Sequence, residues 1–460
     1  MFSVVQTVAA FFLTIGVLVT FHEFGHYLAG RLLGVKVLRF SIGFGKPLLL
    51  RRFGRDRTEF VIAAIPLGGF VRFLDEREAA EGEAIAPADL DRAFNRQIVW
   101  KRLLIVAAGP FANLLLAVLL YAGLYMHGVE GLRAVLAAPP TTTAAAQAGL
   151  ADRDEVIALN GSPLESWQEL RWRLLRVSGA ESVELTVRRG AEVLTRKLGL
   201  QGLSMTDWEG PFVDTLGLRL YLPAAPPAVL RVLEGRPGAA AGLRAGDIIL
   251  AIDDQPLSGV SEARRIIAAH PDQSLRLKIG RAGNTMELAA RPEAKTVEGK
   301  TIGQIGMDLG PNPTAFASYR VRTQYGVADA LGRGVRKTWE LSIFSLKMLG
   351  RIAIGEASLK NISGPLTVAD YAGQSAQQGA TTFILYLAVI SISLGVLNLL
   401  PIPLLDGGHL LYYTVEIIKG SPLSDRTLQL GQQAGMFLLA ALMALALYND
   451  LFRLLPRLFS

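Results

Sequence analysis

The 460-residue chain contains no cysteine. Disulfide bonds and thiolate metal ligands are therefore excluded, and a bound metal has to be held by His, Asp or Glu side chains. The chain also lacks the G-x-x-x-x-G-K-[ST] pattern of a phosphate-binding loop, which argues against a reaction driven by ATP. The net charge of +7 is modest, and it favours basic loops beside a membrane over a nucleic-acid-binding surface.

Charge is also missing from long stretches of the chain. The segment Phe2–Phe21 has no charged residue, and twenty helical residues span about 30 Å, the thickness of the hydrocarbon core of a bilayer. With a hydrophobic fraction of 51%, the sequence predicts four transmembrane helices, at 2–33, 103–126, 382–405 and 428–448. Because no Lys or Arg precedes Arg31, we do not expect the first run to be a cleaved signal peptide.

A polar motif follows the first apolar run directly. It reads His22-Glu23-Phe24-Gly25-His26, the H-E-x-x-H pattern. Residues four apart share one face of a helix, so His22 and His26 can hold one Zn²⁺, and Glu23 can act as general base toward water. The alternative is a structural His-Glu pair at a helix end, although such side chains near membrane depth are costly without a function.

A catalytic zinc needs a third protein ligand. The strongest candidate is Asp406, which lies in Asn398-Leu399-Leu400-Pro401-Ile402-Pro403-Leu404-Leu405-Asp406-Gly407-Gly408-His409 at the end of the third apolar run. Two prolines break the helix before this carboxylate and turn it toward a cavity, while the glycine pair lets another backbone approach. The alternative is an Asp at the membrane surface that caps the next helix.

The distribution of Lys and Arg predicts the orientation of the chain. Segment 31–102 contains 14 of them, so the positive-inside rule places it in the cytoplasm. The amino terminus and the stretch between the second and third runs then lie outside. Within the basic segment, residues 35–74 alternate in polarity and carry several glycines, which predicts a β-hairpin beside the first helix, either peripheral or re-entrant.

The outer region contains an internal repeat. Residues 148–161 and 237–253 are similar in sequence and about ninety residues apart, and each copy is followed by a helical stretch and alternating strands. This pattern resembles bacterial PDZ domains. Leu216, Gly217 and Leu218 resemble the loop with which such a domain binds a peptide carboxylate, here assigned to the second copy. A plain strand turn is the alternative, and residues 325–351 predict an amphipathic helix.

Taken together, these motifs resemble those of the site-2 proteases. The resemblance extends over essentially the whole chain, and it includes Ser41-Ile42-Gly43-Phe44-Gly45, Ala108-Gly109-Pro110 with Asn113, and Ser363-Gly364-Pro365. It implies that His22, His26 and Asp406 bind Zn²⁺ and that Glu23 is the general base. It also implies that Asn398 contacts the substrate backbone or the developing oxyanion, with a helix–helix hydrogen bond as the alternative.

The expected fold is an α-helical polytopic membrane protein with four transmembrane helices, a membrane-associated β-hairpin region and two tandem PDZ (α+β) domains. The expected segments begin with the first helix and its motif (1–33), the β region (34–100) and the second helix (101–127). The two PDZ domains (128–204 and 205–310) and an amphipathic helix with a loop (311–380) follow. The chain ends with the third helix (381–405), a cytoplasmic loop (406–427) and the fourth helix (428–460).

The resemblance further implies a zinc-dependent intramembrane endopeptidase of the bacterial inner membrane. Its PDZ domains would lie in the periplasm and filter substrates, and its active site would open toward the cytoplasmic side. The expected partners are the lipid bilayer and membrane-embedded proteins such as an anti-sigma factor or remnant signal peptides, in an envelope stress response, with neither nucleic acid nor ATP.

Two other functions stay open at this point. The first is a membrane adaptor in which the PDZ pair binds chain ends and the metal site is vestigial; the presence of all four site residues argues against it. The second is a different membrane zinc protease that acts on prenylated carboxyl termini. Such an enzyme is expected to use a Glu or His as third ligand and to lack PDZ repeats.

Overall fold

Four long apolar helices dominate the first of the two units into which the chain divides, residues 1–129 with 323–460 and residues 130–322. The computed structural model describes residues 2–78, 85–177, 180–201, 212–297, 300–312, 314–356, 358–359 and 362–458. In this part of the chain, four helices are long and apolar enough to cross a membrane. We call them spans 1 to 4; they cover Phe2–Leu32, Val99–His127, Ala380–Leu399 and Asp425–Leu458.

Span 3 is shorter than the sequence predicts. It ends at Leu399 and not at residue 405, because Leu400 precedes Pro401 and adopts the extended backbone that a residue before proline prefers (φ −66°, ψ 144°). The segment predicted as the loop 406–427 instead begins with a helix, Asp406–Lys419, which we call the Asp406 helix. The third expected ligand therefore starts a new helix and does not end a span.

The predicted β-hairpin is present, as strands β1 (Val37–Phe53) and β2 (Thr58–Phe73). Both strands bend, so that the first part of β1 has neighbours on both sides: Arg39 pairs with Arg72 and Glu59, and Ile42 with Gly69 and Ile62. The hairpin thus behaves as four short strand segments. Its packing against span 1 brings it to the H-E-x-x-H motif.

Two further helices of this unit are Val327–Ala353, close to the amphipathic helix predicted at 325–351, and Pro365–Gln377, which the sequence did not predict. The second begins at the Ser363-Gly364-Pro365 motif. Asp450 of span 4 is buried there and accepts hydrogen bonds from the N–H groups of Gly364, Leu366 and Thr367 at 2.9, 2.9 and 3.1 Å. A span-4 carboxylate thus caps this helix. The remaining elements are short helices at Glu76–Glu78 and Pro87–Leu90.

The second unit contains two repeats of one arrangement, which we call repeat 1 (residues 134–221) and repeat 2 (residues 228–310). Repeat 1 has strands paired in the order Ser162–Pro163, Glu155–Leu159, Ser182–Arg189 and Glu192–Gly199, with helices Ala144–Gln147, Trp167–Arg176 and Phe212–Thr215. Each repeat has a separate apolar core. In repeat 1, isolated β-bridges join Val135 to Glu155 and Leu136 to Leu220. They extend the sheet of repeat 1 at the position where the sheet of repeat 2 has two complete strands.

Repeat 2 has a sheet in the order Asn284–Ala290, Leu275–Arg281, Ile248–Ile252, Ala228–Val232 and Met307–Gly310, with Gln255–Pro256 beside Ile248–Ile252. Its helices are Pro237–Ala240 and Val260–Ala269. The other elements of the unit are the hairpin Glu293–Val297 and Lys300–Gln304, the short helix Ala317–Tyr319, and strands Val129–Leu132 and Arg320–Thr323. The expected boundary between the two domains, at residues 204 and 205, lies outside the described residues.

The same ion pair, between a buried aspartate and a partly exposed arginine, occurs in both repeats. In repeat 1, Asp154 accepts hydrogen bonds from Arg189 at 2.7 and 2.8 Å, and in repeat 2 Asp247 accepts them from Arg281 at 2.7 and 2.8 Å. Burial alone would raise the pKa of these carboxyl groups, but the hydrogen bonds from the guanidinium and from a backbone N–H outweigh it, so that each pKa is lowered.

These lowered pKa values predict a loss of stability in acid. A carboxyl group whose pKa is lower in the folded state stabilises the fold fully above its unfolded-state pKa of about 3.9, and this stabilisation disappears as the pH falls toward the folded-state value. We expect the thermal midpoint of the full-length protein to fall between about pH 5 and about pH 3, and this fall to be smaller in Arg281→Gln. The exposed pair of Arg276 with Asp254 supplies the control Arg276→Gln. Identical acid profiles for Arg281→Gln and the wild type would contradict the assignment.

The structure corrects the expected peptide-carboxylate loop. Leu216 and Leu218 are buried in the core of repeat 1 and not in the second domain. The N–H groups of Leu216, Gly217 and Leu218 donate to carbonyl oxygens in Phe212–Thr215 at 2.9, 3.0 and 2.8 Å. A peptide carboxylate would have to displace these bonds, so the turn closes its own helix in this conformation.

Candidate metal centre

Three side chains converge where span 1 meets the Asp406 helix. The Nε2 atoms of His22 and His26 lie 3.2 Å apart, and Asp406 Oδ2 lies 3.0 Å from the first and 3.6 Å from the second. All three can offer a metal-ligand atom. The histidines reach this point from one helix because they are four residues apart, whereas Asp406 is brought in from nearly four hundred residues away by the packing of the helices.

This triangle fits a tetrahedral zinc site. Ligand atoms at about 2.0–2.1 Å from Zn²⁺ are roughly 3.3 Å from one another in a tetrahedron, close to the three separations seen here. Within the described residues, buried Asp406 Oδ2 accepts no hydrogen bond. A buried carboxylate oxygen that faces two imidazole nitrogens and has no hydrogen-bond partner can be satisfied by a cation. The residues therefore fit zinc, with two nitrogen ligands and one oxygen ligand and a fourth position open.

The outer nitrogen of His26 is fixed by the backbone of span 2. His26 Nδ1 lies 2.9 Å from the carbonyl oxygen of Ile105, which can only accept a hydrogen bond. Nδ1 therefore carries the hydrogen, and the lone pair is on Nε2, which faces the triangle. This bond selects the tautomer that a metal needs.

Asn113 of span 2 does the same for His22. This side chain is fully buried, and its Nδ2 lies 3.3 Å from His22 Nδ1, while its Oδ1 has no hydrogen-bond partner in the described part of the chain. Because O and N of a carboxamide exchange places on a half rotation, the same position lets Oδ1 accept the Nδ1 hydrogen of His22. That orientation satisfies Oδ1 and leaves the His22 Nε2 lone pair for a metal, so Asn113 acts as a positioning residue.

Gly109 makes room for the His26 ring. A Cβ atom at this position would overlap the imidazole, with Nε2 its nearest neighbour. Gly25 of span 1 in turn lies against the Ala108 carbonyl, so the two helices approach closely beside the site. From the sequence, the Gly109-Pro110 pair indicates a kink or a packing point. The structure shows close packing, and span 2 continues as a helix through Pro110.

A tight turn before Asp406 determines where its carboxylate lies. After Leu400, the chain passes through Leu404, whose φ of +78° is unusual for a residue with a side chain. Cβ atoms on Gly407 and Gly408 would collide with the backbone at Leu400 and Ile402, so this glycine pair lets the turn fold back onto the start of the Asp406 helix. The prolines, the turn and the glycines together place the carboxylate at the two histidines.

Glu23 lies between the histidine pair and the hairpin. Its side chain is half-buried, and a Cβ on Gly69 of β2 would be only 3.0 Å from Glu23 Cγ. The strand therefore passes directly beside the expected general base. The sequence analysis does not predict this contact, and the glycine pair Gly68-Gly69 within β2 is the signal that could have indicated a close approach.

The other expected residues lie around this centre. Asn398 is half-buried in the last turn of span 3, and its expected contact with substrate stays a prediction. His409 lies one turn into the Asp406 helix, where its ring faces Tyr412 and Tyr413 at centroid distances of 6.2 and 6.5 Å. It is outside the group of ligand atoms.

Comparison with known proteins places this geometry in a family. The sequence profile of Peptidase family M50 matches residues 10–442. The chain belongs to peptidase family M50. The regulator of sigma-E protease RseP of Escherichia coli is 40% identical over 457 residues, which are 99% of this chain and 100% of that protein. RseP of Salmonella typhimurium is 39% identical over 458 residues, again 99% and 100% of the two chains, and a zinc metalloprotease homologue from Ralstonia nicotianae is 43% identical over 468 residues, 97% and 98%.

Membership of M50 confirms the predicted site-2 protease family. The protein is a zinc metalloprotease of the intramembrane type and a multi-pass inner-membrane protein, with membrane proteins as its class of substrate and the bilayer as its surroundings. Within the described residues, four helices are long and apolar enough to cross a membrane, and β-rich regions accompany them, as expected. The roles of individual residues, the orientation and the natural substrate go further and are proposals.

Proposed function

We propose that His22, His26 and Asp406 hold the zinc ion of this M50 protease and that Glu23 is its general base. The observation that carries this assignment is the triangle of ligand atoms, at 3.0, 3.2 and 3.6 Å, with Glu23 on the adjoining face of span 1. Zinc in this position supplies a Lewis acid that polarises a carbonyl group and acidifies water.

The protein residues then move one proton. Glu23 takes it from the attacking water as the new C–O bond forms, and it delivers the same proton to the amide nitrogen as the C–N bond breaks. Asn398 contacts the substrate backbone and stabilises negative charge on the carbonyl oxygen. Asn113 and the Ile105 carbonyl keep both histidines in the reactive tautomer throughout.

The hairpin presents the substrate to this centre. A transmembrane helix hides its carbonyl groups in its own hydrogen bonds, so it has to unwind before one of them can be attacked. Gly69 of β2 lies beside Glu23, and an unwound segment can add as a further strand along the edge of this part of β2 that faces away from β1. Strand addition would fix which peptide bond reaches the zinc.

The two repeats are proposed to be PDZ domains on the periplasmic side, where they filter substrates by the size of the outer part. The 14 Lys and Arg residues of segment 31–102 support a cytoplasmic hairpin and a site that opens toward the cytoplasm. The RseP relatives are named as regulators of sigma-E. An anti-sigma factor or a remnant signal peptide, each with a single span, is therefore the proposed substrate in an envelope stress response.

Metal removal tests this function. We expect the purified full-length protein in detergent to cleave a single-span membrane substrate, to lose all cleavage when a chelator strips the metal, and to regain it with Zn²⁺ but not Mg²⁺. The reason is that two imidazoles and one carboxylate favour zinc over a hard cation. Cleavage that persists after metal analysis shows the protein to be zinc-free would contradict the proposal.

A further inference from the structure

A cavity of about 490 Å³ lies at the base of the hairpin, apart from the metal centre. Its volume is within the range of small-molecule sites. Five cationic side chains line it, against the two carboxylates Asp56 and Glu59: Lys36, Arg39, Arg52, Arg57 and Arg72. Neither the proteolytic chemistry nor the proposed substrate path uses these residues.

The cations of this cavity form an ordered row. Glu59 bonds the Nε and Nη2 atoms of Arg39 at 2.8 and 2.6 Å and those of Arg52 at 3.2 and 2.7 Å. Strand pairing places Arg72 next to Arg39 in the same row across the sheet. The hydrogen bonds to Glu59 use the Nε and Nη2 atoms of Arg39 and Arg52, and a guanidinium group has five N–H donors. One carboxylate thus holds two guanidinium groups side by side, and each keeps donors for a further acceptor.

The other carboxylate does not neutralise the cavity. Asp56 is bound from outside it by Arg31 and by Arg92, each at 2.7 Å. Lys36 is paired to Asp89. Even with Arg72 left out of the count, the described side chains of the cavity and these partners comprise six cations and three carboxylates. The excess positive charge favours an anion with several acceptor oxygens.

An apolar track continues from this cavity along the same sheet face. Alternate residues of a strand share a face, so Leu50, which is 42% exposed, lies on the side of Arg52. Leu48, which is 72% exposed, precedes it at the β-bulge between Pro47 and Leu49. Exposed leucines beyond a cluster of arginines match the two parts of a phospholipid, a charged head and an acyl chain. A free phosphate ion would use the arginines alone.

We propose that this cavity binds the phosphate headgroup of an anionic phospholipid, with the acyl chains along Leu48 and Leu50. The bound lipid stabilises the base of the hairpin at the depth of the membrane interface. This inference concerns lipid recognition and does not depend on the assignment of the zinc ligands.

The test uses full-length protein in a neutral detergent, titrated with short-chain phosphatidylglycerol, and binding is measured by calorimetry. We expect saturable binding that weakens by about tenfold or more in Arg52→Gln/Arg57→Gln, since two cations near the phosphate are lost. The matched control is Arg55→Gln: this exposed residue is in the same turn as Arg57 but does not line the cavity.

Short-chain phosphatidylcholine and inorganic phosphate separate the sources of the binding. Binding of phosphatidylglycerol that is stronger than that of either compound supports the proposed lipid site. Equal binding of inorganic phosphate overturns the lipid as ligand and assigns the cavity to a free anion. No saturable binding, or an equal loss in Arg55→Gln, overturns the site itself.

Discussion

Replacement of Glu23 by Gln is expected to lower the rate of peptide-bond cleavage roughly 10²- to 10⁴-fold, the contribution of a general base. The zinc content should not change, because Glu23 is adjacent to the ligand triangle but is not one of its three corners. Gln has the shape of Glu but cannot take a proton from water. The measurement is the single-turnover cleavage of a single-span substrate by full-length protein, with zinc measured on the same sample.

The pair of readouts separates two explanations. A loss of cleavage with full zinc assigns Glu23 to the chemistry, whereas a loss of both shows that it supports the site. Turnover close to that of the wild type in a zinc-loaded variant would refute the general-base assignment. The metal-removal experiment would stand in that case, since it depends only on the three ligands.

Gly109→Ala is expected to lower the zinc affinity about 10- to 100-fold. This is the range seen when a residue that hydrogen-bonds to a metal ligand is lost. Alanine is the better helix former by about 1 kcal/mol, so helix propensity alone predicts a more stable span 2. The added methyl group would overlap the His26 ring, however, and the ring cannot move without breaking its bond to the Ile105 carbonyl. The steric effect therefore outweighs the propensity. The measurement is zinc affinity by competition with a chelator.

The same helix supplies a matched control. A Cβ on Gly123 would meet no atom within 4 Å, so Gly123→Ala makes the identical chemical change in open space. We expect this variant to keep wild-type zinc affinity and cleavage. Equal behaviour of the two alanine variants would show that the contact of Gly109 with His26 is not what keeps the ring in place.

Much of the site follows from local sequence rules. His22, Glu23 and His26 share a helix, and the 3.6-residue period alone decides which face they occupy. The apolar runs likewise give the four spans, because a bilayer sets a minimum length for a helix. The prediction of Asp406 as the third ligand rests on the free-energy cost of a carboxylate without a function near membrane depth, and on the family resemblance. No local rule shows that Asp406 reaches the histidines.

The contacts that orient the two histidines depend on helix packing, and sequence rules do not predict them. Asn113 and Ile105 point at the histidines only because spans 1 and 2 pack together, and Gly109 has a role only beside His26. The same holds for Asp450, which caps a helix that begins more than eighty residues earlier. Tertiary hydrogen bonds of this kind produce no periodic pattern of residue types in the sequence.

The errors also have physical causes. The apolar run continues through Pro401 and therefore predicts a longer span 3, although the effect of this proline on Leu400 already ends the helix. The Leu216–Leu218 turn is expected in the second domain because it follows the predicted boundary at residues 204 and 205. In the structure its two leucines fill the core of repeat 1, and its N–H groups are bonded within the turn.

In the proposed metal centre, a carboxylate from the Asp406 helix joins two imidazoles of span 1 around one zinc ion. The most direct test is the zinc affinity of full-length Asp406→Ala measured against the wild type by chelator competition. We predict one zinc per wild-type chain and a loss of affinity on the order of a hundredfold or more in the variant, since a direct ligand is removed. An Asp406→Ala protein that binds zinc as tightly as the wild type would contradict the account.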